Sequence, residues 1–142
     1  MNTDKKTARI MVDVRIILSA LWVALMFIFQ QGDMLRIYSG DFTPGDVLWG
    51  KVMSSQMMWL VSAITMTIPV VMIILSLTLK YPVNRWANII VGIFFVVINL
   101  IGLSAYPWGY DKFLIIVGLV FNVLIVWYAW KWPKLEGVEV TP

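Results

Sequence analysis

Apolar residues in this chain come in four long runs separated by short polar stretches, with no strand-like alternation. The first run centres on Ile16–Phe29 and predicts a helix over about 13–31. The second spans 57–79, the third 86–106 and the fourth 113–130, and none of these three contains a charge. At about 1.5 Å rise per residue the second run reaches about 34 Å, enough for a hydrocarbon core of about 30 Å. Inside hydrocarbon every backbone amide must be paired within its own segment, so the runs are helices. The predicted fold is an all-α integral membrane protein, one domain over 1–142. Its core is a four-transmembrane-helix antiparallel bundle. No small-residue cleavage pattern follows the first run; Gln30-Gln31-Gly32-Asp33 does, so it is read as a retained helix and not a signal peptide.

The connections refine this picture. Lys80-Tyr81-Pro82-Val83-Asn84 joins helices 2 and 3 in a tight hairpin, with Asn84 expected to cap helix 3. Pro107-Trp108-Gly109-Tyr110-Asp111 joins helices 3 and 4, with Asp111 the expected cap of helix 4. The first outer loop, about 32–56, is longer. In it Thr43 can cap a turn that has Pro44 first and Asp46 third. That predicts a short outer interfacial helix over Val47–Lys51, anchored by Trp49 and leading into helix 2. The tail 134–142 is expected to be flexible.

Charge sets the orientation. Lys5, Lys6, Arg9, Arg15, Lys80, Arg85, Lys131 and Lys134 fall on one side; Arg36, Lys51 and Lys112 fall on the other. Lysine and arginine favour cytoplasmic flanks, which places both termini in the cytoplasm. Tyr81, Trp86, Trp127, Tyr128, Trp130 and Trp132 form the expected cytoplasmic aromatic belt; Trp59, Tyr106, Trp108 and Tyr110 form the outer one.

Composition narrows the chemistry. The chain is 61% hydrophobic and 13% charged, against about 45–50% and 25% in soluble domains. It has no histidine and no cysteine. Disulfides, thiol catalysis, imidazole or thiolate metal sites and haem ligation through either side chain are therefore excluded. No cofactor or metal is expected. The basic residues sit at segment ends and give no nucleic-acid footprint.

The polar residues within the spans fall into stripes. Asn88, Gly92, Phe95, Asn99, Gly102 and Tyr106 share a face of helix 3. Ser62, Thr65, Pro69, Met72 and Ser76 do so on helix 2; Gly118, Asn122, Ile125 and Ala129 on helix 4; Ser19, Trp22, Met26, Gln30 and Asp33 on helix 1. Small residues let helices approach, and Asn or Ser hydrogen-bonds across the contact, so these are the expected inward faces. Packing explains all four stripes. The sharper reading is a ligand pathway lined by Asn99, Asn122, Ser62, Thr65 and Asn88, with Pro69 kinking helix 2. Asn99 and Asn122 are expected to meet each other, or Ser62, Thr65 or Ser19.

Asp13 precedes the apolar run and sits beside Arg15. A carboxylate early in the first of four helices is a feature of proton-coupled small multidrug transporters, but here it lies at the membrane edge, with Arg15 snorkelling. Asp33 is read as an edge charge in reach of Arg36. No span has a central carboxylate, which weakens proton coupling.

The segments Leu18-Ser-Ala-Leu-Trp22, 76–92 (SLTLKYPVNRWANIIVG) and 124–133 (LIVWYAWKWP) resemble a family of small bacterial four-helix membrane proteins of unknown function. The similarity runs from about 10 to 134, most specifically around Asn84, Arg85, Trp86 and Asn88. The resemblance implies four spans in a bacterial inner membrane and carries over no activity. Three functions fit. One is a non-enzymatic module that associates with itself or a partner in membrane lipid. The second is a small transporter or exporter of an apolar or weakly polar compound. The third is an enzyme on lipid or quinone, using an outer cluster of Asp33, Asp41, Asp46 and Asp111.

Overall fold

The computed structural model describes residues 12–41 and 55–135. They form four helices, α1 (Val14–Ser39), α2 (Ser55–Thr78), α3 (Val83–Ala105) and α4 (Gly109–Leu135). Each is long and apolar enough to cross a membrane. The described residues contain no strand. The antiparallel four-helix fold expected from the apolar runs is the fold observed, and the chain is a multi-pass membrane protein.

The helices overrun the apolar runs at several ends. α1 continues to Ser39 instead of closing at Gln31. Polarity does not stop a helix; backbone chemistry does, and the stop comes at Gly40. This glycine adopts φ 77°, a left-handed conformation that costs it no Cβ clash, and its N–H bonds to the Ile37 carbonyl. At the other terminus Asp13 caps α1 by accepting from the Arg15 backbone N–H at 2.9 Å. α3 starts at Val83 and α4 at Gly109, each a few residues earlier than the apolar run. Residues 134 and 135 extend α4 where a loose tail was expected. The expected interfacial helix over 47–51, its Thr43 cap and its Trp49 anchor lie outside the described residues, as do 136–142.

Packing order differs from chain order. α1 sits between α2 and α4, α4 sits between α1 and α3, and α2 meets α3 only slightly. The tight turn does join α2 and α3, and its Tyr81–Pro82 peptide is cis. Beyond that turn the two helices do not pack as a hairpin. The reason lies on α3, whose face of Asn88, Gly92, Phe95 and Asn99 is buried. A Cβ placed on Gly92 would lie 2.8 Å from Val126 Cγ2, so the bare glycine lets α3 close onto α4.

The core joins Leu18, Trp22 and Leu25 of α1 to Met72, Phe95 and Ile125 from the other three helices. Phe95 is its centre: Trp22 meets it edge-on at 6.0 Å and Phe29 lies tilted at 6.0 Å. α2 is the least enclosed helix. In its most apolar stretch 17% of residues are buried, against 28% in each of the other three.

Candidate functional site

The predicted polar residues separate into three groups. The first surrounds the α2–α3 turn. Trp22 Nε1 donates to Asn88 Oδ1 at 2.7 Å, and Ser76 Oγ donates to the same oxygen at 3.1 Å. Asn88 Nδ2 donates to the Asn84 side-chain and main-chain oxygens at 2.7 and 2.9 Å. Asn84 Nδ2 in turn donates to the Ser76 carbonyl at 2.7 Å and the Leu79 carbonyl at 2.9 Å. Trp22, Ser76, Asn84 and Asn88 are fully buried. α3 has no side-chain cap at its N-terminus. Asn84, expected there, instead satisfies carbonyls at the C-terminal end of α2, which would otherwise face hydrocarbon unpaired. The network pins α1, α2 and α3 together at one end of the bundle, the turn end. Ser19 adds a fourth tie, donating to the Ile73 carbonyl at 3.1 Å.

The second group is Asn99 and Asn122. Both point inward, 5% and 0% exposed. Asn99 Nδ2 lies 3.9 Å from the place a Gly118 Cβ would take, beside Leu25 and Phe29, so the amide sits where α1, α3 and α4 meet. Neither residue finds a partner in the other, in Ser62, in Thr65 or in Ser19. The Asn99 Nδ2, Asn122 Nδ2 and Asn122 Oδ1 atoms are buried without a protein hydrogen bond. Ser62 and Thr65 are only half-buried on α2, while Pro69 is fully buried. On α1 the expected stripe holds at Ser19 and Trp22, then moves to Leu25; Gln30 and Asp33 are exposed, where the span reaches its end.

The third group closes the opposite end, the clamp end. Arg36 does not pair with Asp33. Its guanidinium reaches Asp111 Oδ1 at 2.7 Å and lies 4.1 Å from the Tyr106 ring centroid. Asp111 is 3% exposed and sits in the first turn of α4, past its start at Gly109 and so not at its cap. Tyr110 donates to Asp41 at 2.8 Å, and Ser39 donates to Asp41 at 2.7 Å. Asp41 and Asp111 are thus drawn to separate partners, and Asp46 lies outside the described residues. Among the described residues no three carboxylates gather to hold a metal ion.

A cavity of about 480 Å³ lies on the open side of the bundle, between α2 and α3. Ala63, Ile64, Thr67, Ile68 and Val71 of α2 line it with Val91 of α3. Its size falls within the range of ligand pockets, but its walls are apolar and neither Asn99 nor Asn122 reaches it. This cleft was not legible in the sequence, because which helices part company is set by packing order. Trp22, Ser76 and Asn88 were all visible as stripe members, yet the convergence of the first two on Asn88 was not.

The model of a protein family described as a family of unknown function, DUF6326, matches residues 9–138. Neither the curated proteins nor the solved structures contain a match to the chain.

Proposed function

This chain belongs to the DUF6326 family, a family of unknown function, and from that premise we propose that it is a non-enzymatic membrane module that associates with a second copy through α2. We place it in a bacterial inner membrane with both termini cytoplasmic. The lysine and arginine distribution supports that orientation, and the resemblance of segments 76–92 and 124–133 supports the membrane. The observation that carries the association is the lopsided packing of α2. This uncharged helix rests on α1 alone for most of its length, leaving Ala63 and Thr67 exposed beside the cleft. Lipid tails are as apolar as the helix, so association in membranes depends on close packing, which small side chains allow. The buried polar groups at the turn end support a module over a conduit, because their hydrogen bonds are spent on one another.

The chain has no cysteine, so a single introduced thiol reports its own neighbours. Ala63→Cys and Thr67→Cys are expected to give disulfide-linked dimers on oxidation in native membranes. Val120→Cys, on the exposed face of α4, should stay monomeric. Monomers at all α2 positions, with single-step photobleaching of labelled protein in lipid, would defeat the reading.

The cleft also supports a second reading, a small exporter of an apolar compound that enters sideways from lipid. Ala63→Trp would then block export while leaving the amount of folded protein unchanged.

A further inference from the structure

The turn end carries a cation that, among the described residues, has no carboxylate partner. α3 opens with Arg85 and Trp86, and α4 closes with Trp127, Trp130 and Lys131. The close α3–α4 contact at Gly92 draws these two antiparallel ends together. The Arg85 guanidinium carbon lies 5.6 Å from the Trp86 ring centroid and 5.5 Å from that of Trp130. Lys131 Nζ stands 4.8 Å from the Trp127 ring centroid. Trp86, Trp127 and Trp130 remain 50%, 42% and 59% exposed, so the cluster faces outward, away from the core.

A guanidinium has five N–H donors. The single hydrogen bond of Arg85 goes from Nη2 to the Trp130 carbonyl at a long 3.4 Å. Its Nε is buried without a partner. Among the described residues the two ion pairs are Arg15–Asp13 and Arg36–Asp111, so neither Arg85 nor Lys131 has a carboxylate. Arg36 is the internal comparison. It also lies on an aromatic ring, Tyr106, but Asp111 neutralises it at 2.7 Å. The clamp end satisfies its arginine from within; the turn end holds one between two indoles with a single long hydrogen bond and no carboxylate among the described residues.

Indole faces hold the guanidinium by cation–π attraction and limit its hydration, which strengthens what it can offer an anion. The planar fork matches the oxygens of a phosphate. The cluster lies at the end of two spans, at headgroup depth, where basic pockets between helices meet lipid phosphates. We infer that Arg85, flanked by Trp86 and Trp130 and assisted by Lys131, binds the phosphate of an anionic phospholipid headgroup. Two cations that have no carboxylate among the described residues favour an anionic headgroup over a zwitterionic one.

The test uses the full chain, purified in mild detergent and offered equal amounts of phosphatidylglycerol and phosphatidylcholine, with bound lipid read by native mass spectrometry. The parent should retain phosphatidylglycerol preferentially. Arg85→Gln should lower that retention roughly tenfold, since hydrogen bonds to charged groups carry that much. Lys131→Gln, at an exposed side chain, should lower it by a smaller factor and keeps the test open should Arg85→Gln not fold. Lys112→Gln, a surface lysine at the clamp end, should leave it unchanged. Parent-like retention in either Arg85→Gln or Lys131→Gln, or equal retention of the two lipids by the parent, overturns the assignment. Displacement of the lipid by millimolar inorganic phosphate would likewise overturn it and give the site to a free ion. Each outcome is read from a monomer, so dimer formation through α2 can fail without touching it.

Discussion

Asn88 accepts from Trp22 and Ser76 and donates to Asn84, so removing its amide strands three buried neighbours. Asn122 has no protein partner to strand. The two substitutions should therefore diverge. Asn88→Leu is expected to cost about 1–3 kcal/mol, because donors left unpaired in an apolar surround are expensive. Asn122→Leu is expected to be neutral or stabilising, since it deletes a desolvated amide that makes no protein hydrogen bond. Thermal unfolding of both variants in the same bicelles checks this; a larger loss for Asn122→Leu would contradict it. That Asn88, Asn99 and Asn122 face inward was legible from spacing alone. Which of them found partners was not. Hydrogen-bond geometry depends on the rotation and depth of four helices together, and the sequence specifies each helix's stripe separately.

Among elements, α1 and α4 are joined at the clamp end by Arg36 and Asp111. Asp111 is almost fully buried, and among the described residues Arg36 is its one charged partner. Arg36→Met is expected to destabilise the protein by about 1–3 kcal/mol by leaving a carboxylate uncompensated. The double variant Arg36→Met/Asp111→Leu should recover most of that loss, because paired charges and well-packed apolar residues are often near equal in stability. A double-mutant cycle by chemical or thermal unfolding measures the coupling; additive losses would rule the clamp out as an energetic unit. The sequence pointed to Asp33 as the partner because it lies one turn away on the same helix. The structure chose a residue 75 positions distant, since α1 continues to Ser39 and carries Arg36 to the start of α4. The four helices were legible because long apolar runs leave hydrocarbon no other solution. Their ends were not, because a helix runs on through polar residues until a residue such as Gly40 stops it.

For the whole molecule, the proposed orientation rests on the sequence alone, which assigns eight lysines and arginines to one side of the four runs and three to the other. Reporter fusions after Leu135 and within the Lys80–Asn84 turn should both read cytoplasmic, and one near Gly40 external. A cytoplasmic signal at Gly40 would overturn the four-span topology. Packing order was the large-scale property the sequence did not show, because short turns suggest that consecutive helices are neighbours, and α2 and α3 are not. That order has a consequence for how the protein is made. The helix that packs most extensively against α1 is α4, the last of the four to be synthesised. At about 5–20 residues per second, on the order of 5–20 s separates the completion of α1 from that of α4. In that interval α2 is the first neighbour α1 can have, and Trp22 must wait for α3 to supply Asn88. The most weakly enclosed helix of the finished bundle is thus the first that the nascent α1 can pack against.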